Sequence, residues 1–341
     1  MQQILELKSV ERADVFTQAG VEIGLPAYYV EKDFWVCWVI GLLFGHRRMG
    51  PHLTFRGGTS LSKGWGLISR FSEDVDIAMS RVWVDPTLPN PGDAGLTAAA
   101  RDRRLQQLRR ACRKVIRDEV VPLLEASVAA LGEEARVEVV SLDEARDPFE
   151  VRLHYPLCGL EVPELYHQQV AKIELSGRAD AWPQERRPIS PFLADALPKL
   201  GPWVPMQVAC VMPARTFWEK ASLLHERYAQ GTAEKLGVRQ ARHLYDLVQL
   251  WTHVRDEPGL LALFDEVKVH RKTFFNYGCV DYDHLTPGAL VLVPPDDQIA
   301  AWKGDYEMMG SMFIGDRPPF DHLIEAIGAI EDNLRPRHRP A

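Results

Sequence analysis

The sequence predicts an α+β fold: a mixed sheet with flanking helices in the N-terminal half, followed by an all-helical C-terminal domain. Three observations predict it. Segments alternating apolar with polar residues cluster before residue 176. Within residues 52–79 a strand, a Gly-Gly pair, a short helix and an Asp-x-Asp strand follow one another. From about residue 214 onward the apolar positions take up helical spacing.

Residues 27–45 carry Val30, Phe34, Val36, Trp38 and Leu42 at helical spacing, interrupted by Glu31, Lys32 and Asp33. This is a buried helix whose charged residues brace what lies above it. A strand over 52–56, a glycine turn, a helix over 61–68 and a strand over 75–79 come next. The Pro- and Gly-rich stretch 82–97 is a loop. Residues 98–131 form a long helical stretch, interrupted at Pro122, with Leu105, Leu108, Cys112, Val115 and Val120 on its apolar side. Strands over 135–142, 150–155 and 169–175 extend the sheet. A proline-rich linker over 183–213 leads into helices over 215–230, 239–255, 259–269, 298–309 and 322–335. The expected division is an α/β domain over 1–200 and a helical domain over 201–341.

Hydrophobic residues make up 46% of the chain and charged residues 26%, enough to bury a core without help. The net charge of −7 gives no global attraction to a polyanion, so any contact with nucleic acid rests on a local patch. The most apolar run, residues 34–45 (FWVCWVIGLLFG), is too short to span a bilayer, and residues 1–14 lack a signal-peptide pattern. The expectation is a cytoplasmic protein without a membrane partner. Five scattered cysteines with no CxxC pair read as reduced, mostly buried thiols.

The chemistry concentrates in residues 55–79, FRGGTSLSKGWGLISRFSEDVDIAM. Asp74 and Asp76, at i and i+2 on a strand, project from one face. Carboxylates that close repel, and a divalent cation resolves the conflict. Hard oxygen donors suit magnesium, which takes one or two carboxylates and completes its shell with substrate phosphates and water. Gly57 and Gly58 offer backbone N–H groups for phosphates to approach, Thr59 and Ser60 add hydroxyls, and Lys63 and Arg70 add positive charge.

This order and spacing resembles the nucleotidyltransferase superfamily typified by DNA polymerase beta. Within it, the stretch closely resembles the AbiEii/AbiGii-type toxin nucleotidyltransferases, whose pattern runs F-[KR]-G-G-T-x-L-x-K and then R-x-S-E-D-[IV]-D. Phe55 to Lys63 and Arg70 to Asp76 match it. The segments VEKDF (30–34), KIELSGR (172–178), FWEKASLLHER (217–227) and RHLYDL (242–247) are similar to further family motifs, so the resemblance runs from about 30 to 250.

The resemblance implies a polymerase-beta-like fold with Asp74 and Asp76 as metal ligands and Glu174 as a third carboxylate. It implies a triphosphate cradle at Gly57–Ser60, Lys220 on the nucleotide phosphates, and Asp246 as an acidic residue required for activity. The implied reaction moves an NMP from an NTP to RNA, most simply the tRNA 3′ end. A two-magnesium site about 3.5–4 Å across would activate the attacking hydroxyl and the leaving pyrophosphate. The implied setting is a type IV toxin–antitoxin or abortive-infection pair, with a separate DNA-binding antitoxin acting mainly on the operon. Two rival readings share the residues: a transferase that modifies protein hydroxyls, and a non-catalytic NTP-sensing module.

Read without the family, Lys220 is a helix lysine paired with Glu219 or Glu226, and Asp246 pairs with Arg242 at i−4. The basic residues Arg103, Arg110, Lys114 and Arg117 recur on one side of the 98–131 helix. They are the candidate RNA-docking face, together with Arg335, Arg337 and Arg339 in the tail. His154, His167, His225 and His243 fit no catalytic spacing and are assigned no chemistry. The aromatic and methionine residues Phe274, Phe275, Tyr277, Trp302, Tyr306, Met308 and Met309 are expected in the core.

Overall fold

The computed structural model describes residues 1–132, 134–141, 148–162, 169–231 and 236–335. Residue 142, at the end of an expected strand, and His167, Arg337 and Arg339, named above, lie outside the described residues. The chain divides into two compact units, Met1–Trp65 with Phe71–Val211, and Gly66–Arg70 with Met212–Ala341. No helix among the described residues is long and apolar enough to cross a membrane.

The first unit opens with helices α1 (Gln2–Leu5), α2 (Ser9–Ile23) and α3 (Ala27–Gly45). Helix α3 is apolar around most of its circumference, the mark of a helix buried on all sides, and it packs on the sheet and on α2. Strand β1 (Leu53–Arg56), helix α4 (Gly57–Lys63), strand β2 (Asp74–Met79) and the short α5 (Arg81–Val84) follow. The expected glycine turn and the helix over 61–68 are one element: the glycines form the first turn of α4, which ends at Lys63.

Helix α6 (Ala98–Val115) passes through a π-helical turn, Ile116–Val120, into α7 (Val121–Val128). Pro122 lacks the N–H for a regular helical bond and its ring crowds the carbonyl four residues back, so the widened turn before it keeps the helix continuous. Strands β3 (Arg136–Ser141), β4 (Phe149–His154) and β5 (Val170–Ser176) stand where the alternation placed them. The expected linker over 183–213 is not a linker. It holds β6 (Gln184–Ile189), α8 (Phe192–Ala196) and β7 (Met206–Val211).

The seven strands run in the order β3-β4-β5-β2-β1-β7-β6. β2 pairs parallel with β5 and β1 parallel with β7, while the remaining pairs are antiparallel. The polar β6 (QERRPI) lies on the edge, where Pro188 costs no ladder bond. The result is a mixed sheet with flanking helices, the α+β arrangement expected from the sequence.

The second unit is helical: α9 (Pro213–Ala229), α10 (Arg242–Val254), α11 (Leu260–Phe274), α12 (Ile299–Met308) and α13 (Phe320–Leu334). Its core holds Phe217, Trp218, Trp302, Tyr306 and Met309, and Trp218 Nε1 donates to the Leu260 carbonyl at 2.7 Å. Met308 and Tyr277, expected in the core, are exposed. Four of the five cysteines are buried and Cys279 is exposed.

Candidate active site

Strand period 2 sends Val75 and Ile77 into the core and leaves Asp74 and Asp76 on the opposite face. Pairing then decides their neighbours. Arg56 on β1, Asp76 on β2, Glu174 on β5 and Glu150 on β4 stand side by side across four strands. One step along, Asp74 stands beside Lys172 and Lys172 beside Arg152.

The Lys172 ammonium is bonded to the Glu174 carboxylate and lies 3.9 Å from both Asp74 Oδ1 and Glu150 Oε2. Arg152 Nε donates to Glu150 Oε1 at 2.6 Å. Burial, then the charges of Glu174 and Asp74, push the Asp76 carboxyl up to about 7, against the pull of Arg56. Burial disfavours the Lys172 charge, but Asp74 and Glu174 outweigh it and hold the ammonium above the usual lysine range.

The glycine pair stands in line before the aspartates for a steric reason. Gly57 has φ +76°, and a Cβ there would lie 2.0 Å from Asp76 Oδ2. The backbone of the first α4 turn therefore rests against the Asp76 carboxylate, a closeness only glycine allows. Gly57→Ala is expected to cost about 1–3 kcal/mol through the left-handed backbone and to push Asp76 aside. Urea unfolding checks it.

The other residues of the motif turn inward. Thr59 and Ser60 are buried, and the Thr59 hydroxyl donates to Ser72 Oγ at 3.0 Å. Lys63 is buried, paired with Asp33 Oδ1 at 2.6 Å and seated 3.7 Å from the Phe192 ring centroid. The three charged residues of α3 each have a partner: Glu31 accepts from Cys158 N, Lys32 binds Glu73 at 2.6 Å, and Asp33 takes Lys63 and Phe192 N. Lys32 thus fixes the residue directly before Asp74, the bracing role expected of this segment.

In the second unit, Arg70 is 2% exposed, and its Nε and Nη2 donate to Asp246 Oδ1 and Oδ2, both at 2.7 Å. Lys220 Nζ lies 2.9 Å from Asp246 Oδ2 and 3.3 Å from His243 Nδ1. Burial alone would raise the Asp246 carboxyl; Arg70 and Lys220 overcome it and hold it far below the carboxylate range. Burial, with Arg70 and Arg242, lowers Lys220 against the pull of Asp246, and burial with Lys220 and Arg242 lowers the His243 imidazole. Ser69 N donates to Tyr245 Oη and Ile314 N to the Ser69 carbonyl, so residues 66–70 are threaded into the helical unit. Among these carboxylates Glu219 binds Arg215, Glu226 binds Arg271 and Tyr282, and Asp246 takes Arg70 and Lys220.

Arg103, Arg110, Lys114 and Arg117 are exposed, opposite the buried Leu105, Leu108 and Cys112, and Arg117 pairs with Asp118 at 2.8 Å. Sequence reasoning passed over Lys172 and Glu150. Their alternation was visible, but only the strand order shows that they face Asp74 and Glu174.

Among the described residues, no group of three or more His, Cys, Asp or Glu side chains stands ready as it is to hold a metal ion. The Lys172 ammonium is lodged among the carboxylates instead. The donors themselves fit a hard divalent cation. Asp74 and Asp76 offer carboxylate oxygens on one face and Glu174 adjoins them; burial first, then the charges of Glu174 and Asp74, raise the Asp76 carboxyl against the pull of Arg56.

A family model described as Nucleotidyl transferase AbiEii toxin, Type IV TA system, matches residues 41–326. The stretch includes the glycine pair, both aspartates, Glu174, Lys220 and Asp246, and excludes the Glu31–Asp33 brace. No curated protein matches the chain.

Proposed function

The chain belongs to the nucleotidyl transferase AbiEii toxin family of type IV toxin–antitoxin systems, and on that premise we propose that it moves an NMP from an NTP to the 3′ end of tRNA, dependent on magnesium. The family makes the protein a nucleotidyltransferase and implies an NTP substrate and a separate antitoxin. The observation that carries the proposal is the carboxylate face: Asp74, Asp76 and Glu174 side by side, with the Gly57 backbone against Asp76.

In this reading Asp74 and Asp76 hold the cation and Glu174 supplies a third carboxylate. Bound magnesium supplies charge neutralisation at the phosphates and acidifies the acceptor hydroxyl. Gly57 and Gly58 offer backbone N–H groups to the triphosphate, while Thr59, Ser60 and Lys63 hold the turn from within. Lys220 serves the nucleotide phosphates, and Asp246 and Arg70 hold it in place. The acceptor hydroxyl gives up its proton to solvent as its oxygen bonds to the α-phosphorus, the α–β anhydride bond breaks, and pyrophosphate leaves with the electron pair. The exposed face of Arg103, Arg110, Lys114 and Arg117 holds the RNA backbone by counterion release. The antitoxin acts mainly on the operon, and the setting is the cytoplasm.

The test is incorporation of each α-labelled NTP into total tRNA with magnesium. Wild type is expected to label RNA, and Asp76→Ala to lose at least about a hundredfold in rate. Reversing the charges of Arg110, Lys114 and Arg117 is expected to weaken tRNA binding and flatten its salt dependence. Label on protein instead of RNA would replace the acceptor, and no pyrophosphate with any NTP would refute the transferase reading.

A further inference from the structure

Three carboxylates from three strands converge on one ammonium: Glu174 of β5 is bonded to Lys172, and Asp74 of β2 and Glu150 of β4 each lie 3.9 Å from it. We propose that Lys172 is a built-in counter-ion, its ammonium competing with a divalent cation for the same carboxylate oxygens. The inference rests on the metal reading given above and deepens it.

Position supports the competition. Lys172 is on the same face as Asp74 and Asp76, two residues before Glu174, so its head can reach the carboxylates that the cation needs. Its side chain is 28% exposed, and a four-carbon stem with that access to solvent can withdraw the head into water without disturbing the sheet. Charge supports it as well. Asp74, Asp76, Glu174 and Glu150 crowd one face, and Arg152 is engaged with Glu150. Without Lys172 the four carboxylates of the unloaded face would have Arg56 and Arg152 to offset them. With Lys172 seated, a divalent cation meets a positive charge where it would bind. Free metal is therefore held weakly, and the cation arrives best together with a nucleotide, whose phosphates add ligands the protein does not supply.

Nucleotide-free Mn2+ binding, followed by titration calorimetry and by the EPR signal of free Mn2+, tests this on wild type, Lys172→Met, Lys172→Arg and Asp76→Asn. Lys172→Met is expected to bind Mn2+ at least about tenfold more tightly than wild type, since a like charge within about 4–6 Å is removed. Lys172→Arg, which keeps the charge, is expected to stay near wild type, and Asp76→Asn to lose binding. Metal-free Lys172→Met should unfold at lower urea, with Mn2+ restoring the midpoint. That recovery separates lost charge balance from a damaged fold. Wild-type binding that Asp76→Asn abolishes, but that Lys172→Met leaves equal or weaker, overturns the inference alone. Absence of Mn2+ binding in both wild type and Lys172→Met overturns the metal reading and this inference with it.

Discussion

Asp246→Ala is expected to destabilise the protein by about 3–5 kcal/mol, because it leaves two buried cations without their counter-charge. Asp246 is fully buried and carries a bidentate Arg70 and a Lys220 on one carboxylate. Three measurements check the assignment. Urea unfolding at neutral pH gives the loss. A cycle with Arg70→Met should give a coupling of about 2 kcal/mol or more between the two positions. The pH dependence follows from the depressed carboxyl. Its folded value lies below the unfolded one, so its stabilisation is fully present above about pH 4 and is lost as the pH falls further. The gap between wild type and Asp246→Ala should therefore hold steady from pH 8 to 5 and narrow below 4. A gap under about 1 kcal/mol at neutral pH would mean that the cluster does not carry the energy its geometry implies.

This bears on how activity losses at Asp246 are read. The carboxylate takes Arg70 and Lys220; it aligns Lys220 and ties down residues 66–70, the segment immediately before Phe71 returns the chain to the first unit. On the proposed reading Asp246 would act through Arg70 and Lys220, as a positioning residue. Lost transfer in Asp246→Ala should accordingly travel with lost stability, whereas at Lys220 the two should separate.

What the sequence revealed, and what it withheld, divides along physical lines. Period 2 placed Asp74 and Asp76 on one face, and period 3.6 located α9 to α13 to within a few residues, because both signals are local. Strand partners are not local. Nothing in β2 says that β5 lies beside it, so Glu174 next to Asp76 came through resemblance, and Lys172 facing Asp74 was missed although it lies in the same quoted segment. Strands β6 and β7 read as linker in the sequence because β6 is polar and both are set among prolines. The basic residues of the motif show the same limit most clearly. Lys63 and Arg70 read as phosphate-facing charges, yet each is buried on a carboxylate that sequence position could not reveal, Asp33 for one and Asp246, 176 residues away, for the other.

Asp76→Asn is expected to make the protein more stable at pH 8 while ending its activity. In the folded chain the Asp76 carboxyl is raised to about 7 by burial and by Glu174 and Asp74. Between the unfolded value of about 4 and that folded value, the native state holds a proton that the unfolded chain gives up. Stability contributed here is therefore complete below about pH 4, falls as the pH rises through 7, and stays low above it. At pH 8 the ionised Asp76 is expected to cost the fold stability that a neutral, similarly shaped amide does not lose. In metal-free buffer, Asp76→Asn should unfold at higher urea than wild type at pH 8 and at nearly the same urea at pH 4. Adding magnesium should close the pH 8 gap from the wild-type side, since a cation that binds the native carboxylates and not the unfolded chain stabilises by mass action. A variant less stable than wild type at pH 8 would show that Arg56 and Lys172 already balance the face. A variant more stable at pH 8, with magnesium closing the gap, would show that the chain keeps a destabilising charge at Asp76 because the reaction requires it.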